Sequence, residues 1–451
     1  MKRSWPGLLA VALCSLAVWL SRARSASLLL DSDTAFLLMK IRERGNPWSW
    51  FAGDWPLGNH FYRPVSTLAF ELDNALYGNR AEGYGATNAL LAIAGIVALY
   101  WFLRELTDRL SFAISGTVLF TLWTLGLGYW PSLIAGYAVW IVLIGGAVRH
   151  GLSLRRYVPA ALGFGYLAFE MNGLHPLHSR IVDWLPGRTA SVMAVFCLLA
   201  MAAYARYERL GAPAGPKPEP GPLDPPATRS TQVTVLRERK GWMAFAIVST
   251  ALALASYEQA VMLPACLLGV AVAFRFQGRR PRWGWHAAFW ALLFAYLVLR
   301  SMLVPRDVSG YQAQQLRSGA GVWLDLGEYI FSPLGLLVSL GATLSVGLIV
   351  LVTWQPWGIL LSIAQGISAV WEARREWKWP LVGWALSLLA FLPMAWLKIF
   401  EHYHWWPMAL RTIFVVGLAS ALAKGAVSAW SRPERPAPPR PGPAPGSLPR
   451  R

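Results

Sequence analysis

Apolar stretches of about 16 to 20 residues recur along nearly the whole chain, each ended by Arg, Lys, Pro or Trp. No other feature constrains the fold as strongly, because a segment of that length satisfies its own backbone polar groups in a bilayer only as a helix. Charged residues make up 14% of the chain, against about a quarter in a soluble protein, so one water-soluble core is excluded. The net charge of +18 does not indicate nucleic acid, since the basic residues sit in short loops between apolar runs rather than on one wet face. Cys14, Cys197 and Cys266 all fall inside apolar segments, where neither a disulfide framework nor a four-ligand zinc site forms.

The sequence therefore predicts an all-α polytopic membrane protein. The start has a basic flank and a short apolar run, and a retained first helix is favoured over a cleaved signal peptide. Further spans are expected near 86–103, 111–129, 132–148, 157–172, 189–205, 242–257, 259–276, 285–304, 345–368, 380–397 and 407–424, which with the first makes about twelve. Placing both termini in the cytoplasm puts most Lys and Arg inside, as expected of a multi-pass protein of the bacterial inner membrane. Residues 325–345 are read as an outer interfacial or re-entrant segment. The expected organisation is a membrane half over 1–210, a Pro-rich cytoplasmic linker over 211–241, a second membrane half over 242–424 and a disordered Pro/Arg-rich tail over 425–451. The first outer loop, 22–84, is long. In it Val65, Leu68, Ala69, Leu72 and Leu76 recur at helical spacing, with Glu71 and Asp73 on another face, which suits a helix lying in the membrane interface.

Several residues have the right chemistry for a site at the outer face. Asp31 and Asp33 in LLLDSDTAFLL stand at the edge of an apolar stretch, where partial desolvation makes a carboxylate a better base for a hydroxyl. At i and i+2 they can also share a divalent metal, and they can equally be an acidic turn or helix cap. Arg63 opens the interfacial helix, and Arg188 opens another, so both are candidates for meeting a phosphate. The alternative for Arg63 is a cation snorkelling to lipid headgroups. His175 and His178 have metal-ligand spacing, but Pro176 between them favours hydrogen-bonded structural histidines. Glu258 lies where two apolar segments meet, a depth at which an ionisable group is functional or paired. Glu401, His402 and Tyr403 form a further outer-face cluster before Trp405 and Trp406. Orientation was assigned from Lys and Arg, yet it gathers Asp31, Asp33, Arg63, His175, Arg188, Glu258 and Glu401 on one side.

The order DSD, YRPVSTLAFELDNALYG with YGATNALLAI, HPLHSRIVDWLPGR, SYEQAVMLP and EHYHWWP resembles the landmarks of GT-C fold membrane glycosyltransferases, most closely the protein O-mannosyltransferase and TMTC-like group. The likeness runs from about 31 to 407 with gaps. It departs from the family pattern at Arg180, Ala190, Tyr257 and His402, and lacks tetratricopeptide repeats. The resemblance implies a GT-C-like bundle whose long first outer loop carries interfacial helices. It also implies a polyprenyl-phosphate-linked sugar as donor, a glycan, lipid or protein acceptor, and inversion at the anomeric carbon. By the same resemblance Asp31 or Asp33 is the base, and Arg63 or Arg188 meets the phosphate. Glu258, Glu401, His402, Tyr403, His175 and His178 fall in the matching motifs as substrate-binding candidates. A transporter or flippase, which would hold its charges nearer the bilayer midplane on broken helices, and a catalytically inactive assembly subunit are the alternatives.

Overall fold

The computed structural model describes residues 5–126, 181–211, 229–323, 326–327, 377–398 and 400–431. Among them the chain is helical, with no strand and one isolated antiparallel bridge, Leu316 with Leu397. The helices are α1 (Trp5–Leu20), α2 (Ser27–Leu30), α3 (Ser32–Arg44), α4 (Pro64–Tyr77), α5 (Ala81–Thr107), α6 (Leu110–Thr124), α7 (Arg188–Arg209), α8 (Arg229–Leu254), α9 (Leu263–Phe276), α10 (Gly284–Leu303), α11 (Gly310–Gln315), α12 (Lys378–Phe391) and α13 (Trp405–Ser431). Four stretches among the described residues are long and apolar enough to cross a membrane: Ala81–Thr107, Arg188–Arg209, Glu258–Phe276 and Gly284–Leu303. They fall where the sequence places spans near 86–103, 189–205, 259–276 and 285–304. Shorter apolar helices occupy Trp5–Leu20, Leu110–Thr124 and Lys378–Met394. The spans expected at 132–148, 157–172 and 345–368 lie outside the described residues, as does most of the 325–345 segment.

Two boundaries differ from expectation. The linker was expected to reach 241, yet α8 begins at Arg229, so its basic stretch is the first part of the helix that continues into the apolar run. Helix α13 likewise runs to Ser431, past the expected start of the tail at 425. In both cases Lys, Arg and Ala are ready helix formers, so the helix continues through the basic stretch.

Helix α7 is central. Its apolar window is 89% buried, against 22% for Gly284–Leu303, and it packs on both α5 and α8. Helix α12 pairs with α13 so closely that a Cβ at Gly383 would overlap the backbone of Ile413 and Phe414. Small residues permit such approach where no hydrophobic force drives helices together. Gly383→Ala is expected to force this pair apart and lower the unfolding temperature of the detergent-solubilised protein; an unchanged melting curve would contradict the close packing.

Helix α4 is amphipathic in the opposite sense to a water-soluble surface helix. It buries Ser66, Thr67, Phe70 and Asp73 against the protein and exposes Leu72 and Leu76. Polar groups inside and leucines outside suit a helix bathed by lipid rather than water. Its first N–H groups lack intrahelical partners, and they meet the carbonyls left over at the end of α8. The Val65 amide donates to Ala255 O at 3.0 Å, and the Ser66 hydroxyl to Ser256 O at 2.8 Å. This end-to-end junction brings Arg63 beside Tyr257 and Glu258.

Candidate functional site

The loop before α4 is built on Asp54. Its carboxylate accepts the backbone N–H groups of Trp55, His60 and Phe61 at 2.7, 2.9 and 2.8 Å, and Gly58 and His60 take the positive φ values, 65° and 59°, that let the chain reverse. For a residue other than glycine that conformation is costly, and His60 is held in it from outside. Its carbonyl accepts from Arg300 at 3.0 Å and from Gln312 at 3.2 Å, and its Nδ1 lies 3.0 Å from Asp307 O. The reversal delivers Phe61 and Arg63 to the Glu258 side of the junction.

Arg63 is held along one edge and on both faces. Its Nε donates to Glu258 Oε2 at 2.8 Å and its Nη2 lies 2.6 Å from the same oxygen. The guanidinium carbon stands 4.0 Å from the centre of the Phe61 ring and 4.3 Å from that of Tyr257, a cation–π sandwich. Burial is the largest single influence and works against the charge, but Glu258, Tyr257 and Tyr403 together outweigh it and hold the guanidinium above its usual range. Gln259 then ties the Glu258–Met262 turn to two later elements, donating to Ala390 O and Tyr403 O, both at 2.9 Å.

These contacts enclose a cavity of about 320 Å³. Asp33, Arg63, Glu258, His402 and Tyr403 all face it. Trp55, Phe61, Trp184, Tyr257 and Phe400 supply aromatic wall, and Asn59, Gln312 and Gln315 add amides. Such a mixture suits a sugar: ring faces stack on aromatics while amides and carboxylates meet hydroxyls. One side is closed by a strap running from Val304 to Arg317. A capping box between Ser309 and Gln312 starts α11, and Ser309 donates to Asn59 O at 3.2 Å. The far end pairs with the 396–398 segment through Arg317 N to Trp396 O and Lys398 N to Gln315 O, each 2.8 Å. Tyr311 on the strap lies within electrostatic reach of both Arg63 and Asp33. Burial pushes the phenol of Tyr257 well up and that of Tyr403 to about 12, so both remain protonated donors across the working range.

The two aspartates part company. Asp31 caps α3: its Oδ2 accepts from the Thr34 amide at 3.2 Å and hydroxyl at 3.3 Å, and from the Trp184 indole at 3.3 Å. Asp33, in the first turn of the same helix, faces the cavity. Trp184 also stacks near His402, with ring centres 5.1 Å apart, so the cap supports the cavity wall indirectly.

Arg188 does not reach the cavity. Its side chain is fully buried, with Nη1 2.6 Å from Asp73 Oδ2, Nε on Asn88 Oδ1 at 2.7 Å and Nη2 on Tyr84 O at 3.0 Å. The Thr87 hydroxyl donates to the other Asp73 oxygen at 2.7 Å. The arginine expected to meet a phosphate is thus committed to a lock joining α4, α5 and α7. Glu401 opens the short turn Glu401–His404 and is not among the residues lining the cavity, unlike its neighbours His402 and Tyr403. His175 and His178 lie outside the described residues. No group of three His, Cys, Asp or Glu side chains comes together as a metal site among the described residues.

Sequence reasoning missed Asp73 as the partner of Arg188, and it missed the strap. The capping box over Ser309–Gln312 was a readable signal for the strap, but nothing local connected it to Asn59 and His60, some 250 positions earlier. Comparison with protein-family models, with curated proteins and with solved structures finds no match for this chain.

Proposed function

We propose that the protein is a membrane glycosyltransferase of GT-C-like architecture with about twelve spans, moving a sugar from a polyprenyl phosphate to an acceptor hydroxyl at the outer face. The observation that carries this reading is the placement of Asp33 and Arg63 on one aromatic-walled cavity. Sugar transfer needs a base for the acceptor, a cation near the departing phosphate and a surface that tolerates lipid. Asp33, Arg63 and the exposed leucines of α4 are suited to these tasks. In the proposed step the acceptor oxygen attacks the anomeric carbon from the face opposite the phosphate and gives its proton to Asp33. The bond from that carbon to the phosphate oxygen breaks, and the free Nη1 edge of Arg63 meets the leaving group. The acceptor is a glycan, a lipid or a protein hydroxyl.

Cells lacking the protein are expected to accumulate a polyprenyl-phosphate sugar, which mass spectrometry of the lipid extract would detect. An unchanged lipid extract, together with no transfer by purified protein supplied with that donor class, would overturn the reading in favour of a transporter or an assembly subunit.

A further inference from the structure

The next inference rests on the transferase reading and concerns how the same cavity tells the donor from the product left behind. A phosphate dianion is held best across the fork of an arginine, by two parallel bonds. Of the two forks a guanidinium presents, the Nε–Nη2 one is occupied here, because both atoms engage Oε2 of Glu258. Nη1 is left without a hydrogen-bond partner among the described residues. The rings of Phe61 and Tyr257 keep the guanidinium from turning a fresh edge to a ligand. The cation is thus already neutralised, and it offers a single edge.

We propose that Glu258 makes the cavity selective for a phosphodiester monoanion over a phosphomonoester dianion, so that the polyprenyl phosphate formed by transfer is expelled by the charge it gains. In the transfer step the electron pair of the broken carbon–oxygen bond stays on the phosphate oxygen, the acceptor oxygen bonds to the anomeric carbon, and the acceptor proton moves to Asp33. The lipid-borne phosphate changes from a diester with one negative charge to a monoester carrying about −1.5 to −2 at pH 7. Its second charge finds no second fork edge on Arg63, and it faces the Glu258 carboxylate. The other titratable groups on the cavity do not offset it at alkaline pH. Asp33 is acidic, Tyr257, Tyr311 and Tyr403 carry no positive charge in either state, and His402 adds an imidazole to the wall. Behind the pair stand the phenols of Tyr62 and Tyr296, and Arg300, whose Nη2 is committed to the His60 carbonyl.

The test uses the full-length protein in detergent and isothermal titration calorimetry. Two short probes are titrated: citronellyl phosphate, a monoester, and its methyl ester, a diester. At about pH 8 the wild type should bind the diester about tenfold more tightly or better, and the gap should close near pH 5, where the monoester keeps one proton. E258Q should tighten monoester binding by about tenfold and erase or reverse the order, while E258D should keep it. Equal affinities in the wild type at alkaline pH, or an unchanged ratio in E258Q, would overturn the proposal. A wild-type gap that fails to close near pH 5 would overturn the proposal even if E258Q fails to fold. Binding of both probes with no selectivity would remove this inference alone, whereas binding of neither would remove the transferase reading with it.

Discussion

Asp33→Asn is expected to lower sugar transfer by about 10² to 10⁴ fold, the usual worth of a general base, with little change in yield or melting. Asparagine keeps the size of the side chain but cannot take the acceptor proton. Within α3 the change removes an acid of the first turn, worth about 0.3–1 kcal/mol, and melting separates any structural loss from lost chemistry. Asp31→Asn makes the internal control. Asparagine caps a helix about as well as aspartate, so this variant should retain most of its activity. The assay is transfer by purified protein from a polyprenyl-phosphate sugar, with melting followed in parallel. Normal transfer in Asp33→Asn, or a collapse confined to Asp31→Asn, would dismantle the proposed mechanism.

Arg188→Met is expected to cost about 3–5 kcal/mol of stability, since it leaves Asp73 buried without its cation and strips donors from Asn88 and Tyr84. Arg188→Lys should recover part of this, supplying a charge but not the fork that spans three partners. The double variant Arg188→Met, Asp73→Leu should recover more than either single change, because apolar groups often replace a buried ion pair at little net cost. Thermal unfolding of the solubilised protein reads all three. A stable Arg188→Met variant that binds a lipid phosphate poorly would return this arginine to the phosphate-binding role that its position at a helix start first suggested.

The sequence carried the helical class and four apolar helices of membrane-spanning length, because length and hydropathy are local properties. Arg63 and Glu258 were both singled out, yet their pairing was not, since it depends on α4 docking end-on against α8 across nearly two hundred positions. The Asp31–Asp33 pair looked like one unit at i and i+2. The start of α3 separates them, turning one carboxylate onto the backbone N–H of Thr34 and the other towards the cavity. Arg188 misled for a related reason: a helix start attracts anions, but here the anion is Asp73 of the protein itself. Tyr257 and His402, departures from the family pattern, both line the cavity, and Tyr257 stacks on Arg63.

The residues around the cavity are drawn from Asp33 at one extreme to Tyr403 at the other. A ribosome feeding this chain into a membrane delivers Arg63 long before Glu258, and the segment that pairs with the strap later still. During that interval Arg63 has no counter-ion and the Asp54 turn has no strap to hold it. A half-made molecule therefore exposes a charge that the finished one hides.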